Sequence, residues 1–216
     1  MTSAPLFIHV EEPSMEAYLG VLLPRLELAI SVHIINHGSK QHLLRDLPKR
    51  LASYANWPVA MRPSVIVLVD RDDDDCRALK QRLESTAQAC NLATKSNPRH
   101  GRFSVVNRLV VEELEAWHFG DPTALAAAFP GVSATLGRKR GYRDPDAVAG
   151  GTHEALRREL SRAGHYTGSS NLPKVDVARR MAARVSIAGN LSRSFQIFHE
   201  GLNAIVAQMQ EAANNG

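Results

Sequence analysis

A run of aspartates that directly follows an apolar stretch offers the clearest chemistry in this chain. Residues 65–69 predict a buried strand, and the next six residues read Asp-Arg-Asp-Asp-Asp-Asp. Because side chains alternate along an extended chain, Asp70 and Asp72 point the same way if the strand continues. Paired carboxylates repel each other unless a cation or a proton lies between them, and such hard oxygen ligands suit Mg²⁺ or Mn²⁺. The plainer alternative to a metal site is a solvated turn followed by the acidic first turn of a helix. This alternative fits residues 73–75 better than it fits Asp70 and Asp72.

Glutamates follow two other predicted strands. Glu11 comes directly after the apolar run at residues 6–10, and residues 112–115 follow a strand that begins near residue 103. Loops that leave the carboxyl ends of parallel strands gather at one edge of the sheet. The topology therefore predicts that these acidic residues lie close together in space.

The elements that must position these residues alternate between strand and helix. This β-α-β-α-β-α-β order predicts an α/β fold with a mainly parallel four-stranded sheet flanked by helices. After residue 120 the strand signals vanish and helical periodicity dominates. We expect an α/β core at residues 1–122 and a helical C-terminal extension at residues 123–216, packed on the core. The predicted strands are 6–10, 32–35, 65–69 and a fourth that begins at residue 103 and ends at 106 or 111. The predicted helices are 15–30, 40–54, 74–92, 152–163, 174–185 and 192–212. Residues 131–151 are predicted to form a loop.

Composition places the chain among soluble globular proteins. It has 216 residues, 44% of them hydrophobic and 22% charged, with a formal net charge of +4. No apolar run has membrane-spanning length, and residues 1–5 lack the features of a signal peptide. Cys76 and Cys90 read as reduced, small apolar core residues. We therefore expect a cytoplasmic protein without membrane association.

The basic residues suggest a polyanionic partner. Residues 138–140 read Arg-Lys-Arg between two glycines and form the best candidate for a mobile polyanion-binding loop, although a solvated loop explains them equally well. Lys40 begins a predicted helix, where a phosphate is favoured by the helix N-terminus. Acidic residues that cluster in a pocket, with arginine and lysine residues concentrated around it, suit a metal enzyme that acts on a polyanion. The chain has no phosphate-binding P-loop and no Gly-x-Ser-x-Gly elbow, which disfavours an ATPase and a serine hydrolase.

The order of acidic positions resembles the Toprim domain of topoisomerases, primases and overcoming-lysogenization-defect nucleases. In that domain a glutamate follows the first strand and an Asp-x-Asp follows the third. More narrowly, the chain is similar to a bacterial family of uncharacterised Toprim-like proteins. Their Val-Glu-Gly-x-Thr-Glu-Glu, Asp-x-Asp and Glu-Ala-Trp segments are matched at residues 10–16, 70–72 and 115–117. Glu12 departs from the glycine of the first segment, and Met15 departs from an acidic residue.

The resemblance implies a Mg²⁺- or Mn²⁺-dependent phosphodiesterase or nuclease that acts on nucleic acid. It also implies a role in phage defence, often beside an ATPase partner protein, and the sequence leaves a homodimer open. The alternative from another class is a non-catalytic Toprim-like module that holds a metal or a partner protein. By this resemblance the metal ligands are Glu11, Asp70, Asp72 and one of Glu113 or Glu115, with Glu11 as a ligand or as a general acid and base. The catalytic residues are then Glu11, Asp70, Asp72 and Glu115. The candidates for contacts with nucleic acid are Lys40, Arg138, Lys139, Arg140 and Lys174.

Overall fold

Four parallel strands form one sheet in the computed structural model, which describes residues 4–72, 74–168 and 171–214. The strand order is β2-β1-β3-β4, and all three pairings are parallel. The central strand β3 is buried along almost its whole length, as expected when helices cover both faces of a parallel sheet. The predicted α/β fold with a parallel four-stranded sheet is confirmed. The strands are β1 (Leu6–Val10), β2 (Val32–Asn36), β3 (Ser64–Asp70) and β4 (Val105–Val110).

Alternate residues of β3 face two separate apolar cores. Val65 and Val67 pack with leucines of α2 and α3, whereas Ile66 and Leu68 pack with α1 and the C-terminal helices. None of the described helices has both the length and the apolar character that crossing a membrane requires. The helices are α1 (Pro13–Leu22), α2 (Lys40–Ala55), α3 (Cys76–Ala89), α4 (Glu115–Phe119), α5 (Pro122–Ala128), α6 (Thr152–Arg162), α7 (Lys174–Ala182) and α8 (Arg193–Asn214).

The C-terminal helices share the core that lies under α1. Helix α7 packs on α1, and α8 packs on β4. Trp117 lies at the centre, stacked on Phe198 and edge-on to Phe195, and its Nε1 donates a hydrogen bond of 2.9 Å to Ser194 Oγ. This packing brings α6 and α7 close to the residues that follow β4. The division of the chain at residue 122 stays a prediction.

Helix α1 is shorter than the periodicity predicted. It begins at Pro13, with Glu12 at the N-cap position, and the Ser14 hydroxyl donates to the Glu12 carboxylate. It ends at Leu22 and continues only as a 3-10 turn, since Pro24 has no N–H to donate within an α-helix. The predicted helix to residue 30 was therefore wrong in its second half.

Residues 131–151 contain more structure than the predicted loop. Three short 3-10 helices occur there, at Leu136–Arg138, Arg140–Tyr142 and Pro145–Ala147. Leu136 is buried and anchors the segment. Cys76 and Cys90 also differ from the prediction, because both are only half-buried and lie at the ends of α3.

Candidate metal centre

Strands β1, β3 and β4 end at the same edge of the sheet, and the chains beyond β3 and β4 stay side by side. The backbone N–H of Arg71 donates to the Val110 carbonyl at 2.8 Å, and that of Asp72 donates to the Glu112 carbonyl at 3.2 Å. Asp70 is the last residue of β3. The parallel topology thus brings the acidic segments to one place, the crevice outside the carboxyl ends of the strands.

Glu11 and Asp70 form the inner part of this edge. The Glu11 carboxylate accepts a hydrogen bond of 3.3 Å from the Asp70 backbone N–H, and Asp70 is only 4% exposed. Burial raises the pKa of Asp70 well above its usual value, and the charges of Glu11 and Glu12 raise it further. Burial also raises the pKa of Glu11 to about 7, against the opposing effect of Lys40. Carboxylates crowded in this way favour a bound proton or cation.

Asp72 turns towards Lys40, the first residue of α2. Its backbone is left-handed, with φ of 48°, a conformation that aspartate adopts more readily than most residues. The Lys40 ammonium lies 2.5 Å from Asp72 Oδ2 and 2.9 Å from Asp74 Oδ2, and it also donates to the Arg71 carbonyl at 3.2 Å. Lys40 is therefore a counter-ion of the acidic edge in this structure.

The remaining aspartates of the run bear on the choice between metal ligands and an acidic first helical turn. Asp75 caps α3, where its Oδ1 accepts a hydrogen bond of 2.8 Å from the Ala78 N–H, as the helix alternative predicted. Asp73 lies outside the described residues. The same run thus supplies both site carboxylates and a helix cap.

A second group of ligand atoms lies beside the first. Glu113, Glu115 and His153 each offer one ligand atom, and these atoms all lie within 4.8 Å of one another. Glu115 begins α4 and is 3% exposed, and its Oε1 lies 3.3 Å from His153 Nδ1. The Lys174 ammonium lies 3.7 Å from Glu113 and Glu115, and 3.8 Å from Glu12. This cluster joins the loop after β4 to the N-terminal ends of α6 and α7.

The electrostatics of this second group differ from those of Asp70. Burial alone would raise the pKa of Glu115, but the hydrogen bond with His153 and the charge of Lys174 outweigh it and lower that pKa. The hydrogen bond to Glu115 raises the pKa of His153. Burial and the charge of Glu115 raise the pKa of Glu113. His153 and Lys174 thus keep Glu115 ionised inside the protein.

Two buried atoms near this cluster lack hydrogen-bond partners among the described residues. They are Glu115 Oε2 and His118 Nδ1. Burial lowers the pKa of His118 to about 4, so this imidazole is neutral near pH 7. Buried polar atoms are normally satisfied, and the exceptions call for an explanation.

The predicted polyanion-binding segment is exposed and forms no ion pair with these groups among the described residues. Arg138, Lys139 and Arg140 are exposed, and Tyr142 holds the segment by donating a hydrogen bond of 2.7 Å to Glu159 of α6. Within the described ranges, no ion pair joins the three cations to the sheet-edge carboxylates. Their role with nucleic acid stays a prediction.

Sequence reasoning missed His153. It lies 38 residues after Glu115, and no spacing motif links the two. The structure brings together these predicted site residues: Glu11, Asp70, Asp72, Glu113, Glu115, Lys40 and Lys174.

Fold and site together define an α/β protein with a parallel sheet and a carboxylate-rich edge that could hold cations. The chain belongs to the family described as a domain of unknown function (DUF4276), whose family model matches residues 10–203. No curated protein and no solved structure matches the chain. The family match carries no link to Toprim domains, so that resemblance rests on the sequence motifs alone.

Proposed function

We propose that this protein is a divalent-metal-dependent phosphodiesterase that cleaves nucleic acid. The observation that carries the proposal is an excess of negative charge at the carboxyl edge of the sheet. Two ammonium groups, those of Lys40 and Lys174, are shared among a larger number of carboxylates. The carboxylates grouped at this edge belong to Glu11, Glu12, Asp70, Asp72, Glu113 and Glu115.

The donor atoms at this edge fit a hard divalent cation. Carboxylate oxygens are the preferred ligands of Mg²⁺ and Mn²⁺, and Glu115 Oε2 is a buried oxygen without a hydrogen-bond partner in the described part of the chain. Asp70 and Glu11 would hold the ion at the inner end, with Asp72 beside them. When bound, such ions orient a phosphodiester, lower the pKa of water and stabilise the leaving oxygen.

The two lysines give the chain its own means of binding phosphate. Both ammonium groups lie beside carboxylates, 2.5 Å away for Lys40 and 3.7–3.8 Å away for Lys174. A cation that neutralises those carboxylates would free the ammonium groups for a phosphate oxygen. The Toprim resemblance supports Glu11 as a ligand or as a general acid and base.

A non-catalytic metal- or partner-binding module is the second candidate. The observation that favours it is Glu12, which replaces the glycine of the resembling family. Its carboxylate lies 3.8 Å from the Lys174 ammonium and adds negative charge where a phosphate would approach. In this candidate the lysines serve only as counter-ions, and no cleavage accompanies cation binding.

Calorimetry with Mn²⁺ tests the metal site first. We expect the wild type to bind with micromolar to millimolar affinity, or about 4–8 kcal/mol, and the Asp70→Asn/Asp72→Asn variant to lose the part of this heat that comes from the Asp70 and Asp72 site. Asp46→Asn/Glu200→Gln is the matched control, since it removes two exposed carboxylates elsewhere. Equal heats from the wild type and the sheet-edge variant would contradict the proposal.

Cleavage assays then separate the two candidates. Labelled single- and double-stranded DNA and RNA are incubated with the protein and Mg²⁺ or Mn²⁺, with a chelator as the blank. Metal-dependent products that disappear in Asp70→Asn/Asp72→Asn support the phosphodiesterase. Metal binding by the wild type without any cleavage product favours the binding module instead.

A further inference from the structure

We infer that Glu113, Glu115 and His153 form a second cation site, separate from Asp70 and Asp72, which takes a transition-metal ion such as Mn²⁺ in preference to Mg²⁺. A part for this ion in cleavage rests on the proposed function, whereas its binding does not. The sequence motifs pointed only to carboxylates at the ends of strands. The imidazole enters from α6, a helix of the C-terminal region.

The geometry of the three residues suits a single ion. Their ligand atoms all lie within 4.8 Å of one another, which allows one ion to contact all three. Glu115 is buried, whereas the side chains of Glu113 and His153 are 30% and 29% exposed. One wall of the site is therefore fixed in the protein interior, and the other side is accessible to an ion from solvent.

The buried oxygen of Glu115 is a second, independent sign of a cation site. Glu84 Oε2 is also buried without a partner among the described residues, but only Glu115 lies in a group with a second carboxylate and an imidazole. Glu115 Oε1 lies near His153 and Lys174, but Oε2 has no hydrogen-bond partner among the described residues. The Lys174 ammonium, at 3.7 Å from the nearest oxygen of Glu113 and of Glu115, is beyond hydrogen-bond distance of both. It compensates charge without satisfying the orphaned oxygen, which an ion could coordinate directly.

The donor types set the preference for metal. Imidazole nitrogen suits first-row transition metals, whereas Mg²⁺ prefers oxygen ligands and keeps several waters. The group formed by Glu11, Asp70 and Asp72 offers oxygen alone. The two groups therefore differ in the metal that each favours, with Mn²⁺ at the histidine site in the presence of excess Mg²⁺.

Pulsed electron paramagnetic resonance on Mn²⁺-loaded full-length protein tests the inference. With excess Mg²⁺ present, we expect electron spin echo modulation from a directly coordinated ¹⁴N nucleus in the wild type. His153→Ala should lose this modulation and bind Mn²⁺ at least about tenfold more weakly. His42→Ala is the matched control, because His42 is an exposed histidine in the first turn of a helix, as His153 is in the first turn of α6.

The outcomes keep the inference and the proposed function apart. Modulation that persists in Asp70→Asn/Asp72→Asn supports a separate site, whether or not that variant cleaves nucleic acid. Modulation with no cleavage by the wild type overturns the phosphodiesterase and leaves the cation site intact. Wild-type protein that binds no Mn²⁺, or binds it without ¹⁴N coupling, overturns the inference, as does coupling that survives in His153→Ala. Circular dichroism checks that each variant folds, and His153→Gln replaces His153→Ala if the alanine variant does not.

Discussion

Two clusters of polar and charged residues in this molecule differ in how their carboxylate charges are balanced. On one face of the sheet, Glu84 lies 3.0 Å from the Lys80 ammonium and accepts a hydrogen bond of 3.0 Å from Asn107. At the carboxyl edge, Asp70 instead has Glu11 and other carboxylates as its electrostatic neighbours. The first cluster pairs Glu84 with a lysine, although Glu84 Oε2 is buried without a hydrogen-bond partner among the described residues. The second cluster crowds like charges.

The directions of the pKa shifts express this difference. Burial would raise the pKa of Glu84, but its hydrogen bonds and Lys80 outweigh burial and lower that pKa. Burial and neighbouring carboxylates raise the pKa values of Asp70 and Glu11. Crowded like charges cost stability, so their presence is typical of sites that serve a ligand rather than the fold. The balanced cluster is therefore a structural reference for the sheet edge.

The largest expected difference between the two clusters is in catalysis. Asp70→Asn should reduce metal-dependent cleavage by at least about a hundredfold, because it removes a carboxylate that would hold the ion. Glu84→Gln should leave the rate within about twofold, since it alters no residue of the edge. Initial rates on a labelled oligonucleotide at saturating Mg²⁺ measure both variants. A rate for Asp70→Asn close to that of the wild type would break the comparison.

Stability should depend on pH with opposite signs at the two clusters. The folded-state pKa of Glu11 is about 7, above its ordinary 4.5, so the folded protein retains a proton that the unfolded chain releases in this range. The Glu11 contribution to the free energy of unfolding therefore falls as pH rises from about 4.5 to 7, by about 1–3 kcal/mol. The lowered pKa of Glu84 instead gives stability above about 4.5 that is lost as pH falls.

Differences between variants isolate these contributions. Burial lowers the pKa values of His9 and His118, so their contribution to the free energy of unfolding rises with pH over part of the same range. The pH dependence of wild-type stability alone therefore does not report on Glu11. In urea unfolding with a chelator, Glu11→Gln should become progressively more stable than the wild type between pH 4.5 and 7. Glu84→Gln should be less stable than the wild type near pH 7, and this deficit should shrink in acid. A constant difference for Glu11→Gln across the range would contradict the raised pKa.

The arrangement of the inner edge followed from the sequence because it depends on local patterns and on one topological rule. Apolar runs predicted the strands, and parallel strands place their following residues at one edge. Glu11 and Asp70 are therefore found together, with the Asp70 N–H donating to Glu11. The aspartate run was ambiguous, and the structure assigns Asp75 to the helix cap and Asp72 to the pair with Lys40.

The outer part of the site depends on packing that no local pattern encodes. His153 contacts Glu115 only because α6 packs beside α4, and Lys174 joins them because α7 packs on α1. Such contacts between distant segments have no periodicity or fixed spacing. The left-handed backbone of Asp72 was likewise invisible, since aspartate also adopts ordinary conformations.

Lys174 at the carboxyl edge and Lys80 beside Glu84 are both partly buried, and replacing each of them provides a smaller test of the comparison. Lys174→Met should tighten Mn²⁺ binding by about three- to tenfold, because the ammonium competes with the ion for Glu113 and Glu115. Lys80→Met should leave Mn²⁺ affinity unchanged and cost about 1 kcal/mol of stability, since Glu84 loses its cationic partner. Calorimetry and urea unfolding measure the two effects. Weaker Mn²⁺ binding by Lys174→Met would show that Lys174 helps to organise the site instead of competing for it.

The smallest expected effect concerns the exposed segment Arg138–Lys139–Arg140. If its side chains contact phosphates, replacing all three by alanine should weaken nucleic-acid binding roughly three- to tenfold at moderate salt. The slope of log affinity against log salt should also flatten by about two to three units, at about 0.7–0.9 per phosphate contact. Mn²⁺ binding at the sheet edge should not change, because no ion pair joins the segment to those carboxylates within the described residues.

Fluorescence anisotropy with labelled oligonucleotides at several salt concentrations measures this effect. Arg157→Ala/Arg162→Ala is a suitable control, since both arginines lie on α6 and pair with glutamates of the same helix. A triple variant with the affinity and salt slope of the wild type would make the segment a solvated surface. Recognition of nucleic acid would then depend on Lys40 and Lys174, the two lysines that lie among the carboxylates of the metal centre.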